Sequence, residues 1–151
     1  LAQLNVARAL DDLDSPRLAD FMAALDRINA LAERSAGFVW RLEGGGGNAT
    51  DITVAGEPRL IVNLSVWETP ADLERFVWKT AHKQVYAKKA TWFEAMAEPH
   101  FVMWWVPAGQ IPSLADALDR LARLRRDGPG EAAFGWEGLP DIRLWMEQRC
   151  A

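Results

Sequence analysis

Hydrophobic and polar side chains alternate in four stretches of the chain, and this period of two predicts four β-strands. The third stretch shows the pattern best, because its leucine and valine residues fall on one face while Asn63, Ser65 and Trp67 share the other. A glycine-rich segment separates the second stretch from the third, which favours a hairpin with a long loop. The predicted strands are residues 1–7, 38–42, 59–67 and 100–106.

Apolar residues that recur at spacings of three and four predict three amphipathic helices. Each helix follows a residue whose side chain can cap a helix N-terminus, namely Ser15, Thr69 and Ser113. Pro16 occupies the first position of the first helix, and Asp72 completes a capping box with Thr69 in the second. The predicted helices are residues 16–32, 70–93 and 114–127, and we expect each to be unbroken.

The elements follow one another in the order β-α-β-β-α-β with a third helix behind them, which is the order of a ferredoxin-like α+β sandwich. We expect a ferredoxin-like domain with the third helix appended over residues 1–128, and a tail packed on it over residues 129–151. Within the tail, residues 133–136 are predicted to add an edge strand and residues 142–148 a short helix.

The composition restricts the partners that we expect for the chain. Its 151 residues are half hydrophobic and carry a formal net charge of -4, so the positive field that nucleic-acid binding usually needs is missing. No apolar run approaches the ~20 residues of a membrane-spanning helix. Cys150 is the only cysteine, and the first residues lack a signal-peptide pattern, so we expect a cytoplasmic protein.

Standard catalytic and metal-binding motifs are missing from the sequence. The two histidines, His82 and His100, belong to no HExxH pattern, and no CxxC occurs, so we expect no metal site. The glycine run at 44–47 lacks the lysine and the hydroxyl residue that end a phosphate-binding loop, and no dinucleotide fingerprint is present. We therefore expect no conventional cofactor and interpret the glycine run as a hairpin loop.

Polar side chains share one face of the first and third predicted strands. Gln3 and Asn5 lie opposite the apolar residues of the first strand, as Asn63 and Ser65 do in the third. If helices or a partner cover this face, these side chains need hydrogen-bond partners or a cavity that holds water or a ligand. If solvent covers it, they need neither. The pattern leaves both interpretations open.

His82 shares a helix face with two aromatic residues, Trp78 at i−4 and Tyr86 at i+4. A histidine in such surroundings can act as a general base, as an axial ligand to iron or as a donor to a bound oxygen. It can equally be a boundary residue that bonds to the backbone beside a solvated face of lysines. His100 follows Pro99 at the start of a strand, and we interpret it as structural.

Eight tryptophans indicate extensive aromatic packing. Trp104 and Trp105 are neighbours on the fourth predicted strand and therefore point to opposite faces of the sheet. If both are buried, both faces are covered, one by the helices and the other by a second copy of the chain. We therefore expect a homodimer.

Several of these residues also carry a resemblance to known proteins. The run NLSVWE at 63–68, the helix with Phe76 and the run AHK at 81–83, and the closing aromatic strand resemble the dimeric α/β barrel superfamily. That superfamily includes antibiotic-biosynthesis-monooxygenase-like and haem-degrading members. The runs LAQLNVAR, GFVWRL and WFEAMAEPHFVMWWVPAG resemble, more narrowly, one bacterial family of unknown function within it, over most of residues 1–128.

This resemblance implies an assembly and a ligand site. In the superfamily two ferredoxin-like protomers pack sheet against sheet, and small molecules bind between each sheet and its own helices. Cofactor-independent monooxygenases of the superfamily line the pocket with an Asn and a Trp four residues apart on the third strand, and Asn63 and Trp67 match this spacing.

The haem-degrading members suggest a second set of residues. Their catalytic set is an Asn on the first strand, a Trp on the second helix and a His later on that helix. Asn5 and His82 match the first and last of these, whereas the Trp position falls at Phe76, with Trp78 two residues further on. The resemblance therefore implies a pocket more directly than it implies haem.

Three functions follow as hypotheses. The first is a cofactor-independent monooxygenase or related oxidoreductase for an aromatic or polyketide-like substrate, in which Asn63 and Asn5 hold a developing oxyanion and His82 moves a proton. The second is a haem-binding or haem-degrading protein with His82 as axial ligand. The third is a non-catalytic dimeric binding or structural protein. The residues expected to contact a small-molecule ligand are Trp67, Phe76, Trp78, Tyr86 and Ser65.

Overall fold

Four strands form one antiparallel sheet in the order β2-β3-β1-β4 in the computed structural model, which describes residues 1–80, 82–139 and 141. The strands are β1 (Ala2–Arg8), β2 (Phe38–Arg41), β3 (Leu60–Trp67) and β4 (Phe101–Trp104). The helices are α1 (Ala19–Glu33), α2 (Pro70–Lys79), α3 (His82–Ala87), α4 (Lys89–Trp92) and α5 (Leu114–Asp127), with short 3-10 helices at Ala49–Asp51 and Trp136–Gly138. The protein is a small α+β structure, consistent with the predicted ferredoxin-like fold.

The alternation along β3 separates two packing layers on the two faces of the sheet. Val62 and Leu64 belong to a core cluster that includes Leu121 of α5, and we call this side the α5 face. Trp67 belongs to a different cluster, which includes Phe76 of α2 and residues of α1. The face of the sheet toward α1 and α2 is therefore the polar one, and we call it the polar face. It carries Gln3, Asn5, Asn63, Ser65 and Trp67.

The helix α5 covers the face on which a second copy of the chain was expected. Trp104 is fully buried there, and the guanidinium carbon of Arg120 lies 5.3 Å from its ring centroid. Trp105 follows β4 and is 55% exposed in the single chain, where no element of the described residues covers it. The homodimer stays a prediction, but the burial of Trp104 is explained within one chain.

The second predicted helix is broken into α2, α3 and α4, so its predicted continuity is wrong. Thr80 ends α2 in an extended conformation, with φ of -117° and ψ of -177°. Its hydroxyl donates to the carbonyl of Phe76 and accepts from the backbone N–H of His82 at 3.2 Å. Threonine hydroxyls compete for backbone groups in this way, which favours a break in a helix. The break makes His82 the first residue of α3.

The helix N-termini follow the predicted caps in two of three cases. The hydroxyls of Thr69 and Ser113 each accept from the backbone N–H three residues on, at 3.2 and 3.1 Å. Ser15 makes no cap, because the chain forms a tight turn in which the N–H of Leu18 donates to the carbonyl of Ser15 at 3.1 Å. The first helix therefore begins later than predicted, at Ala19.

The described part of the tail pairs its backbone with the outer edge of β4 at one isolated bridge. Phe134 and Met103 exchange two backbone hydrogen bonds of 2.7 and 3.0 Å. The predicted edge strand at 133–136 is thus reduced to a single bridge, because the chain turns into a 3-10 helix directly behind it. The helix predicted over 142–148 lies outside the described residues. Among the residues described, no helix has the length and apolarity to cross a bilayer.

Candidate functional site

A cavity of about 1060 Å³ lies over the polar face and is bounded by side chains of α1, α2 and α3. All the residues that the sequence predicted for a site line this cavity. They are Asn5, Asn63, Ser65, Trp67, Phe76, Trp78, His82 and Tyr86. Both ligand-binding hypotheses require such a cavity, whereas a purely structural role does not.

A hydrogen-bond network joins the polar side chains of β1 and β3. The amide nitrogen of Gln3 donates to Oδ1 of Asn63 and to Oγ of Ser65, both at 2.8 Å. The indole N–H of Trp67 donates to the same Ser65 oxygen at 2.9 Å. The two lone pairs of that hydroxyl are therefore engaged, and its O–H remains a donor, as does the amide nitrogen of Asn63.

Asn63 is exposed although it lies in the middle of a central strand. Residues at such positions are ordinarily covered by the packing layer above the sheet. Its neighbours Val62 and Leu64, which point to the α5 face, are 1% exposed. The exposure of Asn63 therefore comes from the cavity, and its amide group is accessible to a small molecule.

Asn5 lies directly opposite Asn63 in the β1–β3 ladder. Its Oδ1 is buried and has no hydrogen-bond partner in the described part of the chain, and the same holds for the indole nitrogen of Trp78. An unsatisfied buried polar atom costs about 1–3 kcal/mol. Such atoms call for an explanation, and a bound ligand or water is one.

Six ring side chains form a continuous aromatic wall along the cavity. The stacked pair of Trp67 and Phe76 has a centroid distance of 5.2 Å, and Phe76 lies 5.0 Å from the imidazole of His82. The imidazole lies 6.4 Å from the ring of Tyr86, at an interplanar angle of 30°. The aromatic wall consists of Phe38, Trp67, Phe76, His82, Tyr86 and Trp78 in order of contact.

The imidazole of His82 is held by one contact to the backbone. Its Nδ1 lies 3.4 Å from the carbonyl oxygen of Val77, so when Nδ1 carries the ring proton, Nε2 is left with a free lone pair. Burial lowers the pKa of His82 below its ordinary value, and the Val77 carbonyl opposes this only in part. The imidazole is therefore neutral at pH 7 and able to accept a proton.

His100, which was interpreted as structural, also lines the cavity. Its backbone carbonyl accepts from the N–H of Val6 at 2.8 Å, which anchors the start of β4. The pKa of His100 is lowered mainly by burial, and the positive charges of Lys89 and Arg125 lower it further.

Gln3 and Lys89 line the cavity but were not among the predicted site residues. Gln3 is the donor that joins Asn63 to Ser65, and its place in the alternation of β1 was a signal for it. Lys89 also lines the cavity, although it was counted among the lysines of a solvated face beside His82. In the described residues, no group of three or more His, Cys, Asp or Glu side chains is arranged to hold a metal ion.

Comparison with known proteins places the chain in a family. The family model described as Domain of unknown function (DUF3291) matches residues 1–148. The chain belongs to this family. Membership of DUF3291 supports the predicted resemblance to a family of unknown function and carries no assigned chemistry. No curated protein and no solved structure matches the chain significantly.

Proposed function

We propose that this DUF3291 protein binds a planar, hydroxylated aromatic molecule in the cavity and acts on it as a cofactor-independent monooxygenase. The observation that carries the proposal is the composition of one cavity wall, in which polar donors on the sheet continue into stacked rings that include a neutral histidine. The aromatic wall suits the faces of a polyketide-like ring system, since offset-stacked and edge-to-face ring pairs are each worth about 0.5–1.5 kcal/mol.

The polar face supplies the groups that would orient such a substrate. The amide N–H of Asn63 and the O–H of Ser65 can donate to a substrate oxygen. The unpartnered Oδ1 of Asn5 needs a donor in return. A phenol or enol hydroxyl offers both functions, because its oxygen accepts and its proton donates. The substrate class that fits best is therefore an aromatic or enolisable ring compound with a hydroxyl or carbonyl group.

In the proposed reaction Nε2 of His82 removes a proton from an acidic position of the substrate. The electron pair delocalises onto the substrate oxygen, where hydrogen bonds from Asn63 and Ser65 stabilise the negative charge. The electron-rich anion then reduces dioxygen. A ring methylene is converted to a carbonyl, one oxygen atom is kept and the other leaves as water, so that R₂CH₂ and O₂ give R₂CO and H₂O. The substrate supplies all the electrons.

We further propose that the chain is a member of the dimeric α/β barrel superfamily. The sheet order and the spacing of Asn63 and Trp67 support this. Homodimers of that superfamily bring two sheets together, and here α5 packs on the corresponding face. A homodimer of this chain would therefore form around α5 rather than by direct contact between the two sheets.

Oxygen uptake with anthrone- and hydroquinone-type substrates tests the proposed reaction. We expect turnover by the wild type and a rate at least about 100-fold lower for His82→Ala, since general bases contribute 10²–10⁴-fold. Lys83→Ala is the matched control, because Lys83 follows His82 on α3, is exposed and does not line the cavity. Equal rates for the wild type and His82→Ala across the panel would disprove the assigned role.

Haem binding is the second candidate, and the contact between Nδ1 of His82 and the Val77 carbonyl favours it. Histidines that ligate metals commonly donate their second ring nitrogen to such an acceptor. His82 would hold the iron, which supplies oxygen activation when bound. A hemin titration monitored by the Soret band decides between the candidates: a band that His82→Ala abolishes supports haem, and an unchanged spectrum in that variant excludes His82 as the ligand.

A further inference from the structure

Lys89, the first residue of α4, lines the cavity beside the Tyr86 end of the aromatic wall. Its ammonium nitrogen donates to the Tyr86 hydroxyl at 2.8 Å and lies 4.1 Å from the centroid of the tyrosine ring. The second distance is within the range of a cation–π contact. An otherwise flexible lysine side chain is therefore held at the cavity by two contacts to one aromatic residue.

Among the residues that the structure describes, no carboxylate lies within ion-pair distance of Lys89. The described residues form nine ion pairs, and the cation in every one is an arginine. Arg41, another cation that lines the cavity, is paired with Glu33 and Glu43 and is not available to a ligand. Lys89 is thus a cavity-lining cation without a partner of opposite charge in the part of the chain that the structure describes.

Two acidic residues also line the cavity, and neither is within ion-pair distance of Lys89. Glu137 accepts a hydrogen bond from the backbone N–H of Gly135 at 3.1 Å, and Glu94 forms none of the ion pairs. The charge of Lys89 is felt elsewhere in the cavity, since it helps to lower the pKa of His100.

We infer that Lys89 recognises a carboxylate on the ligand, an inference that rests on the proposed binding of an aromatic molecule. The aromatic wall lies between two polar ends of the cavity. One end has the hydroxyl of Ser65 and the amide of Asn63 as donors, and the other has the ammonium group of Lys89. Trp67, Phe76 and His82 lie between these ends in order of contact. An acid with two or three fused rings spans them better than a single phenol does.

Binding of hydroxynaphthoic acids and of their methyl esters tests this inference. The quenching of tryptophan fluorescence gives the Kd of each compound, and the ester keeps the shape of the acid without its charge. We expect the wild type to bind the acids about three- to tenfold more tightly than the esters, as a partly screened charge-assisted hydrogen bond allows. The preference should weaken as ionic strength rises.

The variant Lys89→Met should bind acid and ester about equally while its affinity for the ester stays close to that of the wild type. The matched control is Lys88→Met, which removes the same charge from a neighbour that is exposed, as Lys89 is, but lies outside the cavity lining, and it should keep the preference for the acid. A preference that survives in Lys89→Met, or that is missing in the wild type although the ester binds, overturns the inference alone. Binding of neither compound overturns it together with the proposed function.

Discussion

The side-chain amide of Gln3 donates a hydrogen bond of 2.8 Å to the hydroxyl of Ser65, directly across the ladder between β1 and β3. Both residues are buried, at 5% and 6% exposure, on the sheet face that the cavity adjoins. Since the indole of Trp67 donates to the same oxygen, Ser65 is the shared acceptor of two buried donors. The polar character of this face is thus organised around one hydroxyl group.

Replacing Ser65 should therefore destabilise the protein by more than the loss of one small side chain. In Ser65→Ala the N–H groups of Gln3 and Trp67 both lose an acceptor, and a buried donor without a partner costs about 1–3 kcal/mol. We expect the free energy of unfolding, measured by urea denaturation, to fall by about that amount.

A double-mutant cycle separates this effect from the change in packing. In a Trp67→Phe background the indole donor is absent, so Ser65→Ala should cost less than it does in the wild type. Equal costs in the two backgrounds would mean that the hydrogen bond between Trp67 and Ser65 contributes nothing to stability.

Asn5 and Gln3 lie on the same strand and the same face, yet their replacement by leucine should have opposite effects. Asn5→Leu removes an acceptor that has no partner, so the ligand-free protein should gain about 1 kcal/mol of stability while ligand affinity falls. Gln3→Leu removes a donor that makes two good hydrogen bonds and should lose stability. Thermal unfolding measures the direction of the stability change in each variant. A loss of stability in Asn5→Leu would mean that Oδ1 of Asn5 already has a hydrogen-bond partner in the wild type.

The polar face was predictable because β-strand alternation reports side-chain parity without any knowledge of tertiary structure. The helices that cover this polar face could not be predicted, because strand alternation does not show on which side of the sheet α1 and α5 pack. The break at Thr80 was missed for a related reason. The apolar spacing continues through residues 70–93, whereas the break at Thr80 depends on the local hydrogen bonds of its hydroxyl. Lys89 was missed for another reason: it was counted with the solvated lysines, although spacings of i+3 from Tyr86 and i+7 from His82 place it on their helix face.

The packing of α5 on the sheet predicts a second contrast. Leu121 is 2% exposed within the cluster on the α5 face, whereas Leu118 on the same helix is only partly buried. Leu121→Ala should lower the free energy of unfolding by about 2–5 kcal/mol, and Leu118→Ala by clearly less. Ligand binding should be unchanged in both, because neither residue lines the cavity. Similarly small losses of stability in Leu121→Ala and Leu118→Ala would contradict the packing of α5 described above.

The lowered pKa of His82 predicts that the protein loses stability on mild acidification. The unfolded chain binds a proton at a pH of about 6.5, whereas in the folded protein burial shifts this proton uptake to lower pH. The unfolded state therefore holds more protons in this interval, and stability rises with pH. The contribution is fully present above the unfolded pKa and is lost as the pH falls through the folded pKa.

Urea denaturation between pH 8 and pH 5 measures this dependence, because most carboxylates titrate below about 4.5 and interfere little. The wild type should be less stable at pH 5 than at pH 7, and His82→Gln should remove part of the slope. His100 has a lowered pKa for the same main reason, so its replacement should remove a further part, and the variant with both changes should have the smallest slope. Parallel curves for the wild type and the double variant would show that neither imidazole resists protonation in the folded protein.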